Sequence, residues 1–359
     1  MAAPDPALTP VPARIESLDA FRGLTMILML SEGFGLHALP PGSLLAPLAY
    51  QFDHESWNGM RFWDLIQPFF MFIVGAVMPF SFAHRWAKGE PWSQSLQHVL
   101  KRAALLLFWG LVARSVQANY PNLDLINVLA QIAFTYTVAF LVLRKSALTQ
   151  ILTGLAFLAF HTGLYLFASA PGVTGPWDRD ANIGWWLDKT LLGKNWNGSY
   201  ATINCLSSTF NTILGVWAGS VLHTRKDLRP LLWAGLAAVA AGLLLNPVIP
   251  INKKIWTASF ALVSGGLTLW ATAAMVYLVD RKNIRWPFGL AFVVGANSIF
   301  IYLFHEILHR WMQSTAKIAT GWLIALNAPA GEVLTAWLVL LFEVWLCVWL
   351  YRRRIFFRL

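Results

Sequence analysis

The stretch FDHESWNGMRFWDLIQPFFMFIVGAVMPF, residues 52–80, joins a polar segment to an apolar one. Its second half is almost entirely apolar, and about 20 such residues are enough for an α-helix to cross the hydrocarbon core of a bilayer. Its first ten residues, 52–61, carry a histidine, two acids, an asparagine and a tryptophan. We therefore interpret the stretch as the entrance to a membrane helix, with ionisable side chains gathered at its mouth.

The composition of the whole chain places this helix in a membrane protein. Of its 359 residues, 57% are hydrophobic and only 12% are charged, whereas soluble domains carry about 25% charged residues. Similar apolar runs recur along the chain, so we predict an all-α fold, a polytopic integral membrane helix bundle. The predicted spans number about ten and lie near residues 18–38, 61–82, 100–117, 124–143, 149–168, 205–222, 230–247, 257–279, 288–308 and 331–351.

The distribution of Lys and Arg orients these spans. Basic residues are about twice as frequent on the side that holds both termini, which the positive-inside rule makes cytoplasmic. The net charge of +10 follows from this topology and does not indicate nucleic-acid binding. Residues 38–60 and 169–204 then form external loops. We expect the proline-rich residues 1–13 to be a disordered tail and residues 14–359 to form a single transmembrane domain.

His54 lies in the first external loop, and Trp57, Asn58 and Asp64 follow it within ten positions. A carboxylate can fix the tautomer of a neighbouring histidine, so Asp64 is a candidate partner of His54. An acid in the first turn also favours the helix dipole, which would explain Asp64 without any chemistry. Taken alone, His54 could be an incidental loop histidine, and its neighbours are what make it a candidate catalytic residue.

Two further external segments carry candidate substrate-binding residues. The stretch GPWDRDANIGWWLDKTLLGKNWNGSY, residues 175–200, combines aromatic faces with short hydrogen-bonding side chains, as a sugar site would, and Trp196 is its candidate residue. The alternative is an interfacial aromatic belt. Lys253 and Lys254, in NPVIPINKKIWTASF, residues 246–260, break the positive-inside pattern. They either serve the site or extend from the membrane edge toward water.

Ionisable residues inside membrane spans are costly and are functional candidates by default. Asp19 and Arg22 lie three residues apart near the start of the first span. They form either a structural ion pair or, in the case of Arg22, a site for an anionic ligand that arrives from the cytoplasm. Glu32, near the other end of that span, is either a structural hydrogen-bond partner or part of the site.

The ninth span contains GANSIFIYLFHEIL, residues 295–308, in which polar residues recur at spacings of three and four. Such spacing predicts one polar stripe along a helix, and a stripe of this kind favours a cavity lining over a purely structural role. Another segment, LSSTFNTILGVWAG, residues 206–219, is rich in small and hydroxyl side chains and predicts close helix packing. The stripe consists of Asn297, Ser298, Tyr302 and His305.

Five stretches together resemble one family, the heparan-α-glucosaminide N-acetyltransferases, and in particular its bacterial NagX-like members. The resemblance extends from residue 15 to about residue 310, with the motifs in the family's order. The five stretches are SLDAFRGLTMILML, HESWNGMRFWDLIQPFFMFIVG, LSSTFNTILGVWAG, PINKKIWTASF and GANSIFIYLFHEIL.

The resemblance implies a usually dimeric enzyme of the bacterial inner membrane. Such an enzyme takes the acetyl group of cytoplasmic acetyl-CoA and transfers it to the amine of a glucosamine on the far side. The family's catalytic histidine then corresponds to His54, with Trp57 and Gly59 in register. One departure is that an active-site asparagine of the lysosomal enzyme falls at about Gly33, so that Glu32 beside it is a possible substitute.

The expected ligands are acetyl-CoA, an amino-sugar acceptor and membrane lipid, with no metal and no nucleic acid. We expect the nucleotide of acetyl-CoA near Arg22 and its pantetheine arm along the polar stripe of the ninth span. The full set of predicted site residues is His54, Asp64 and Glu32 for catalysis; Trp57, Asn58, Lys253, Lys254 and Trp196 for the acceptor; and Arg22, Asn252, Asn297, Ser298, Tyr302 and His305 for the cofactor.

Two questions stay open at the level of the sequence. His54 could act as a general base toward the amine, or could itself accept the acetyl group in a covalent intermediate. An alternative function is an amino-sugar transporter without chemistry, which would also need a polar cavity and aromatic loops. Inverted repeats would favour a transporter, and no convincing internal repeat is visible.

Overall fold

In the computed structural model, residues 15–123, 125–193, 200–224 and 227–357 are described, and their regular structure is entirely helical. The predicted tail, residues 1–13, and Trp196 lie outside the described residues. The α-helices are α1 Glu16–Leu30, α2 Ala46–Gln51, α3 Ile66–Ala87, α4 Trp92–Ala118, α5 Val128–Val142, α6 Ala147–Phe167, α7 Ile183–Leu192, α8 Asn204–Thr224, α9 Arg229–Leu245, α10 Ala258–Met275, α11 Gly289–Ala296, α12 Ser298–Leu326 and α13 Ala328–Arg352. Shorter 3₁₀ and π segments are Glu32–Ala38, Phe62–Leu65, Val276–Arg281 and Trp286–Phe288.

The helices support the prediction of a multi-pass membrane protein. All ten predicted spans coincide with α-helices. Five described helices are long and apolar enough to cross a membrane, and a sixth span arises if the bent pair α11–α12 is counted as one. The number of ten spans stays a prediction. The five are Phe62–Ala87, Ala147–Phe167, Asn204–Thr224, Ala258–Arg281 and Ala328–Arg352.

Large apolar side chains face outward along the outer helices. On α6, for example, Leu148, Leu152 and Phe160 are each more than half exposed. Water would penalise such a surface, because monomeric soluble proteins rarely expose large contiguous apolar patches. Exposure of these apolar helix faces is favourable when lipid tails surround them.

The centre of the bundle is formed where α3 packs against α8 at very short range. A Cβ atom added at Gly75 would lie 1.9 Å from the carbonyl oxygen of Thr212, and one added at Gly215 would lie 2.1 Å from that of Phe72. Gly219 approaches the backbone of Ala76 in the same way. The close packing predicted from the small residues of α8 is therefore confirmed.

The first helix ends at Leu30, eight residues before the predicted end of the span. The following 3₁₀ segment begins with Glu32, Gly33, Phe34 and Gly35 at positive φ angles of 43°, 67°, 56° and 70°. A right-handed helix cannot continue through such a run, and positive φ is costly for residues other than glycine. The chain therefore turns at this point, and Glu32 is no longer part of α1.

The ninth predicted span departs from the structure in two ways. The helix breaks at Asn297, where α11 and α12 meet at a bend of 72°, and α12 continues to Leu326 instead of ending near residue 308. At the break, the Asn297 amide donates to the carbonyl of Ile355 at 2.9 Å and accepts from the backbone N–H of Phe357 at 3.0 Å. The prediction of one continuous polar stripe was therefore wrong. Asn297 lies in the break between the two helices, where it contacts the C-terminal segment.

Loop contacts agree with the predicted grouping of the connections at two ends of the bundle. At one end the backbone N–H of Gly59 donates to Ile251 at 2.7 Å, and that of Ala201 donates to Lys254 at 3.2 Å. These bonds join three segments predicted to be external. The 169–204 segment also contains helix α7, which the description as a loop did not anticipate. Which end faces the cytoplasm stays a prediction.

Candidate functional site

A cavity of about 490 Å³ lies between the segment that contains His54 and helix α12. This volume lies within the usual range of ligand-binding cavities, about 300–1,000 Å³. Two of the predicted catalytic residues line it, and the third, Asp64, lies directly behind His54. The lining residues are Met29, Glu32, His37, Phe52, Asp53, His54, Trp63, Ile66, Gln67, Phe70, Val128, Leu129, Tyr200, Lys253, Tyr302, His305 and Glu306.

Asp64 holds the ring of His54 through a short hydrogen bond. The distance from His54 Nδ1 to Asp64 Oδ1 is 2.8 Å, and the Asp64 side chain is only 1% exposed. The other carboxylate oxygen of Asp64 accepts the backbone N–H groups of Glu55 and Arg61 at 3.2 and 3.0 Å. These backbone bonds fix Asp64 at the entrance of α3, so the carboxylate in turn fixes the histidine. The predicted contact between the two side chains is present.

Lys253, in the segment between α9 and α10, joins this pair. Its Nζ lies 3.3 Å from His54 Nδ1 and 3.6 Å from Asp64 Oδ1. One ring nitrogen cannot donate to Asp64 and accept from Lys253 at the same time. The 2.8 Å bond to a carboxylate is the stronger one, so we assign the proton to Nδ1 and leave the Nε2 lone pair free.

The electrostatics of the site favour a neutral imidazole. Burial lowers the pKa of His54, the nearby charge of Lys253 lowers this pKa further, and the hydrogen bond to Asp64 opposes both effects. Burial likewise lowers the pKa of Lys253 to about 8, although the carboxylate of Asp64 counteracts it. At pH 7 the site therefore holds a neutral histidine beside a lysine–aspartate ion pair, which is the arrangement that a general base requires.

Tyr200 is a site residue that the sequence analysis did not identify. Its ring centroid lies 5.4 Å from Lys253 Nζ and 4.5 Å from Lys254 Nζ, within the range of cation–π contacts. Burial and the charge of Asp64 raise the pKa of Tyr200, so its hydroxyl keeps its proton. Nothing in the sequence around Tyr200, at the end of an aromatic segment, indicated that its ring would contact Lys253 and Lys254.

A second polar cluster occupies another part of the same cavity. Glu32 Oε2 lies 2.8 Å from His309 Nε2, and Glu32 Oε1 lies 3.7 Å from His305 Nε2. On its other side, His305 Nδ1 lies 2.9 Å from Oε1 of the fully buried Glu343. His309 and Glu343 were not among the predicted residues. The spacing H-E-x-x-H in HEILH, residues 305–309, is the signal that could have identified His309.

Four of the residues predicted to bind the acceptor lie within the described part of the chain, and only Lys253 lines the cavity. Trp57 is used for packing, and its indole N–H donates to the carbonyl of Trp177 at 2.9 Å. Asn58 is exposed and accepts a bond of 3.3 Å from the Asn252 amide. Lys254 is half-buried beside Tyr200. The structure thus places these four residues at the same end of the bundle, but three of them lie outside the lining of the cavity.

The predicted cofactor residues also divide into two groups. Tyr302 and His305 line the cavity, whereas Arg22, Asn252, Asn297 and Ser298 do not. The guanidinium of Arg22 donates to Asp19 at 2.9 Å and to the carbonyl of Gly295 at 3.1 Å.

The fully buried Asn252 lies next to Lys253 in the segment between α9 and α10. Its side-chain oxygen accepts the backbone N–H of Ile255 at 3.3 Å, and its backbone N–H donates to Thr257 Oγ1 at 3.0 Å. Asn252 therefore shapes the turn that presents Lys253 to the cavity. Asn252 therefore lies beside Asn58 and Lys253, away from Ser298, Tyr302 and His305 on α12.

Fold and site together define a multi-pass helical membrane protein with a histidine–carboxylate pair facing an internal cavity. Residues 14–124 match a family described as a domain of unknown function, DUF5009. The chain is also 25% identical to the heparan-alpha-glucosaminide N-acetyltransferases of Mus musculus and Homo sapiens, over 96% and 98% of its length. It spans 60% and 61% of those two proteins. With the five sequence motifs, these matches support membership of the heparan-alpha-glucosaminide N-acetyltransferase family.

Proposed function

We propose that the protein is a transmembrane N-acetyltransferase of the bacterial inner membrane. It moves the acetyl group of cytoplasmic acetyl-CoA to the amine of a periplasmic amino sugar, either glucosamine or a glucosamine-terminated glycan. The observation that carries the proposal is the His54–Asp64 pair, with a bond of 2.8 Å, at a cavity inside a helical membrane protein. The names of its relatives supply the class of reaction.

In the proposed reaction, His54 acts as the general base. An amine attacks a thioester only in its unprotonated form, and Nε2 of a neutral His54 accepts the proton that the amine loses. The nitrogen–carbon bond forms, the carbon–sulfur bond breaks, and the proton passes from His54 to the departing thiolate of CoA. Asp64 stabilises the imidazolium that exists between these two transfers, as carboxylates do in catalytic triads.

A covalent route uses the same residues in a different order. Nε2 of His54 attacks the thioester first, the carbon–sulfur bond breaks and CoA leaves as the thiolate, so the ring becomes an acetyl-imidazolium beside Asp64. The acceptor amine then attacks the acetyl carbon, the bond from that carbon to Nε2 breaks, and the proton that the amine loses passes through Nε2 to the thiolate. In both routes the acetyl-pantetheine arm would occupy the cavity beside Tyr302 and His305. Arg22 would contact the nucleotide in addition to its present bonds to Asp19 and Gly295.

The proposal is tested with purified protein in detergent, acetyl-CoA, a panel of amino sugars and a readout of released CoA. We expect one or more amines to give CoA release, and His54→Ala to lower the rate by about 10²–10⁴-fold. Acetyl-CoA should still raise the Tm of His54→Ala, as a native-state ligand does. His84→Ala, a change at an exposed histidine on α3, is the matched control.

Radiolabelled acetyl-CoA without an acceptor separates the two routes. Label on the wild-type protein that is absent from His54→Ala supports the covalent route, whereas activity without label supports direct transfer. Near-wild-type turnover by His54→Ala would contradict both. The same purified sample gives the oligomeric state, which we propose to be a homodimer, by light scattering.

A transporter remains the second candidate because of one observation, the break between α11 and α12. Discontinuous helices form the binding sites of many transporters, and here the break lies beside the C-terminal segment. Reconstituted vesicles distinguish the two functions. Uptake of an amino sugar without release of CoA supports transport, whereas the appearance of N-acetylated product at the expense of acetyl-CoA supports the enzyme.

A further inference from the structure

Glu32, His305 and His309 form a compact set of ligand atoms at the wall of the cavity. One atom from each residue lies within 4.8 Å of the atoms of the other two. The two histidines are four residues apart on α12 and therefore share one helix face. Their segment, HEILH, has the H-E-x-x-H spacing with which two histidines on a helix bind zinc.

The distances in this cluster suit a metal ion. In a tetrahedral zinc site with bonds of about 2.0–2.1 Å, neighbouring ligand atoms are about 3.3 Å apart. Here Glu32 Oε2 lies 2.8 Å from His309 Nε2 and Glu32 Oε1 lies 3.7 Å from His305 Nε2, so small shifts of these side chains would let one carboxylate oxygen and the two ring nitrogens surround a single ion.

His305 is also prepared for a metal by its second contact. Its Nδ1 lies 2.9 Å from Oε1 of Glu343, a side chain with no solvent exposure. A carboxylate bonded to the outer nitrogen of a metal-binding histidine fixes the tautomer and makes the inner nitrogen a better ligand. Nε2 of His305 is then left to face Glu32.

The third residue is held in place by an unusual backbone. Glu32 has a φ angle of 43°, at the start of a run of four residues with positive φ. A non-glycine residue in this conformation is strained, and such strain is concentrated at functional sites. Gln313, one turn beyond His309 on α12, donates to Glu32 Oε2 at 3.2 Å and further fixes the carboxylate.

From these contacts we propose that the protein binds one divalent transition-metal ion, zinc by the type of its ligands, through Glu32, His305 and His309. Glu32 and His305 line the cavity, so the fourth coordination position faces it. Three protein ligands and one open position form the arrangement of zinc sites that bind an exchangeable ligand. This proposal revises the expectation of no metal and does not depend on acetyl transfer.

The test measures metal content in chelator-treated, detergent-purified protein that has been incubated with zinc chloride and desalted. We expect about one zinc per chain in the wild type and less than about one tenth of that in Glu32→Gln and His309→Gln. Glu306→Gln is the matched control, because the glutamate of an H-E-x-x-H motif is not a ligand. Like Glu32→Gln, Glu306→Gln removes one negative charge from the cavity, but this variant should still bind zinc.

Cobalt and thermal melting give independent readouts. Cobalt(II) added to the chelator-treated wild type and to Glu306→Gln should give the visible absorption of a four-coordinate ion, and zinc should raise the Tm of both proteins. Neither effect is expected in Glu32→Gln or His309→Gln, whose folding is checked by gel filtration. If one of them does not fold, the other carries the test.

Two results would overturn the proposal. One is a wild-type protein that holds no more zinc than His309→Gln, which would make the cluster a network of ion pairs without a metal. The other is stoichiometric zinc in both ligand variants, which would place the metal at a different site. Loss of acetyl transfer with normal zinc binding would leave this inference intact and would count only against the proposed function.

Discussion

At the scale of single residues, the site depends on how His54 is surrounded. Asp64 is buried and held by two backbone N–H groups, whereas the side chain of His54 is 40% exposed toward the cavity. The carboxylate is thus the fixed partner and the histidine the accessible one. Lys253 adds a positive charge on the same side as Asp64, so it affects the pKa of the ring without blocking Nε2.

This arrangement predicts a shift in the pH dependence of activity for Lys253→Gln. The charge of Lys253 lowers the pKa of His54 because it disfavours the imidazolium. Removing the charge therefore raises the pKa of His54, and the acid limb of kcat/KM moves to higher pH. The measurement is a pH profile of kcat/KM for wild type and variant. Lys254→Gln, whose charge acts more weakly on His54, should shift the limb less. An acid limb that moves to lower pH would contradict the assignment of His54 as the base.

At the scale of helices, the contact between α3 and α8 determines the shape of the bundle. Gly215 lies so close to α3 that a Cβ atom would overlap the carbonyl oxygen of Phe72. The two helices can approach this closely only because Gly215 has no side chain at the point of contact. Asp64 at the entrance of α3 takes its position relative to the rest of the bundle from this packing.

Gly215→Ala should therefore destabilise the protein, by about 1–3 kcal/mol, which is the usual cost of overpacking. The measurement is thermal unfolding in detergent, where the Tm should fall. Gly321→Ala in α12 is the control, since no neighbouring atom lies within 4 Å of the position that its new Cβ atom would take. Its Tm should stay unchanged or rise slightly, because alanine favours helix more than glycine does. Equal behaviour of the two variants would contradict the close approach.

At the scale of the whole molecule, loops from distant parts of the chain meet at one end of the bundle. Within the described residues, the segments 52–60, 169–193 with 200–204, and 246–257 exchange hydrogen bonds there, including one from Trp177 to the carbonyl of Val248 at 3.0 Å. At the opposite end, Glu16 pairs with Arg285 at 2.7 Å. The two groups are those that the distribution of Lys and Arg assigned to opposite sides.

This grouping predicts the result of cysteine labelling in sealed cells. A cysteine at Ser56, in the external group, should react with a membrane-impermeant thiol reagent added outside. A cysteine at Ser146 should react only after the membrane is opened, because its loop belongs to the side rich in Lys and Arg. The unmodified protein, with Cys205 and the buried Cys347, gives the background. The reverse pattern would overturn the orientation and the direction of acetyl transfer.

The sequence by itself indicated the class of protein and the approximate positions of the predicted membrane helices, and it made Asp64 a candidate partner of His54. These features depend on local properties: apolar run length, small-residue content and a separation of ten residues at a helix entrance. Only the tertiary structure decided that Lys253, 199 residues away, completes the pair, and that the ninth predicted span is broken between α11 and α12 at Asn297, which contacts the C-terminal segment. It also brought Glu32 to His309. Such contacts arise from the packing of distant segments, and hydrophobic periodicity and residue spacing within one segment carry no information about them.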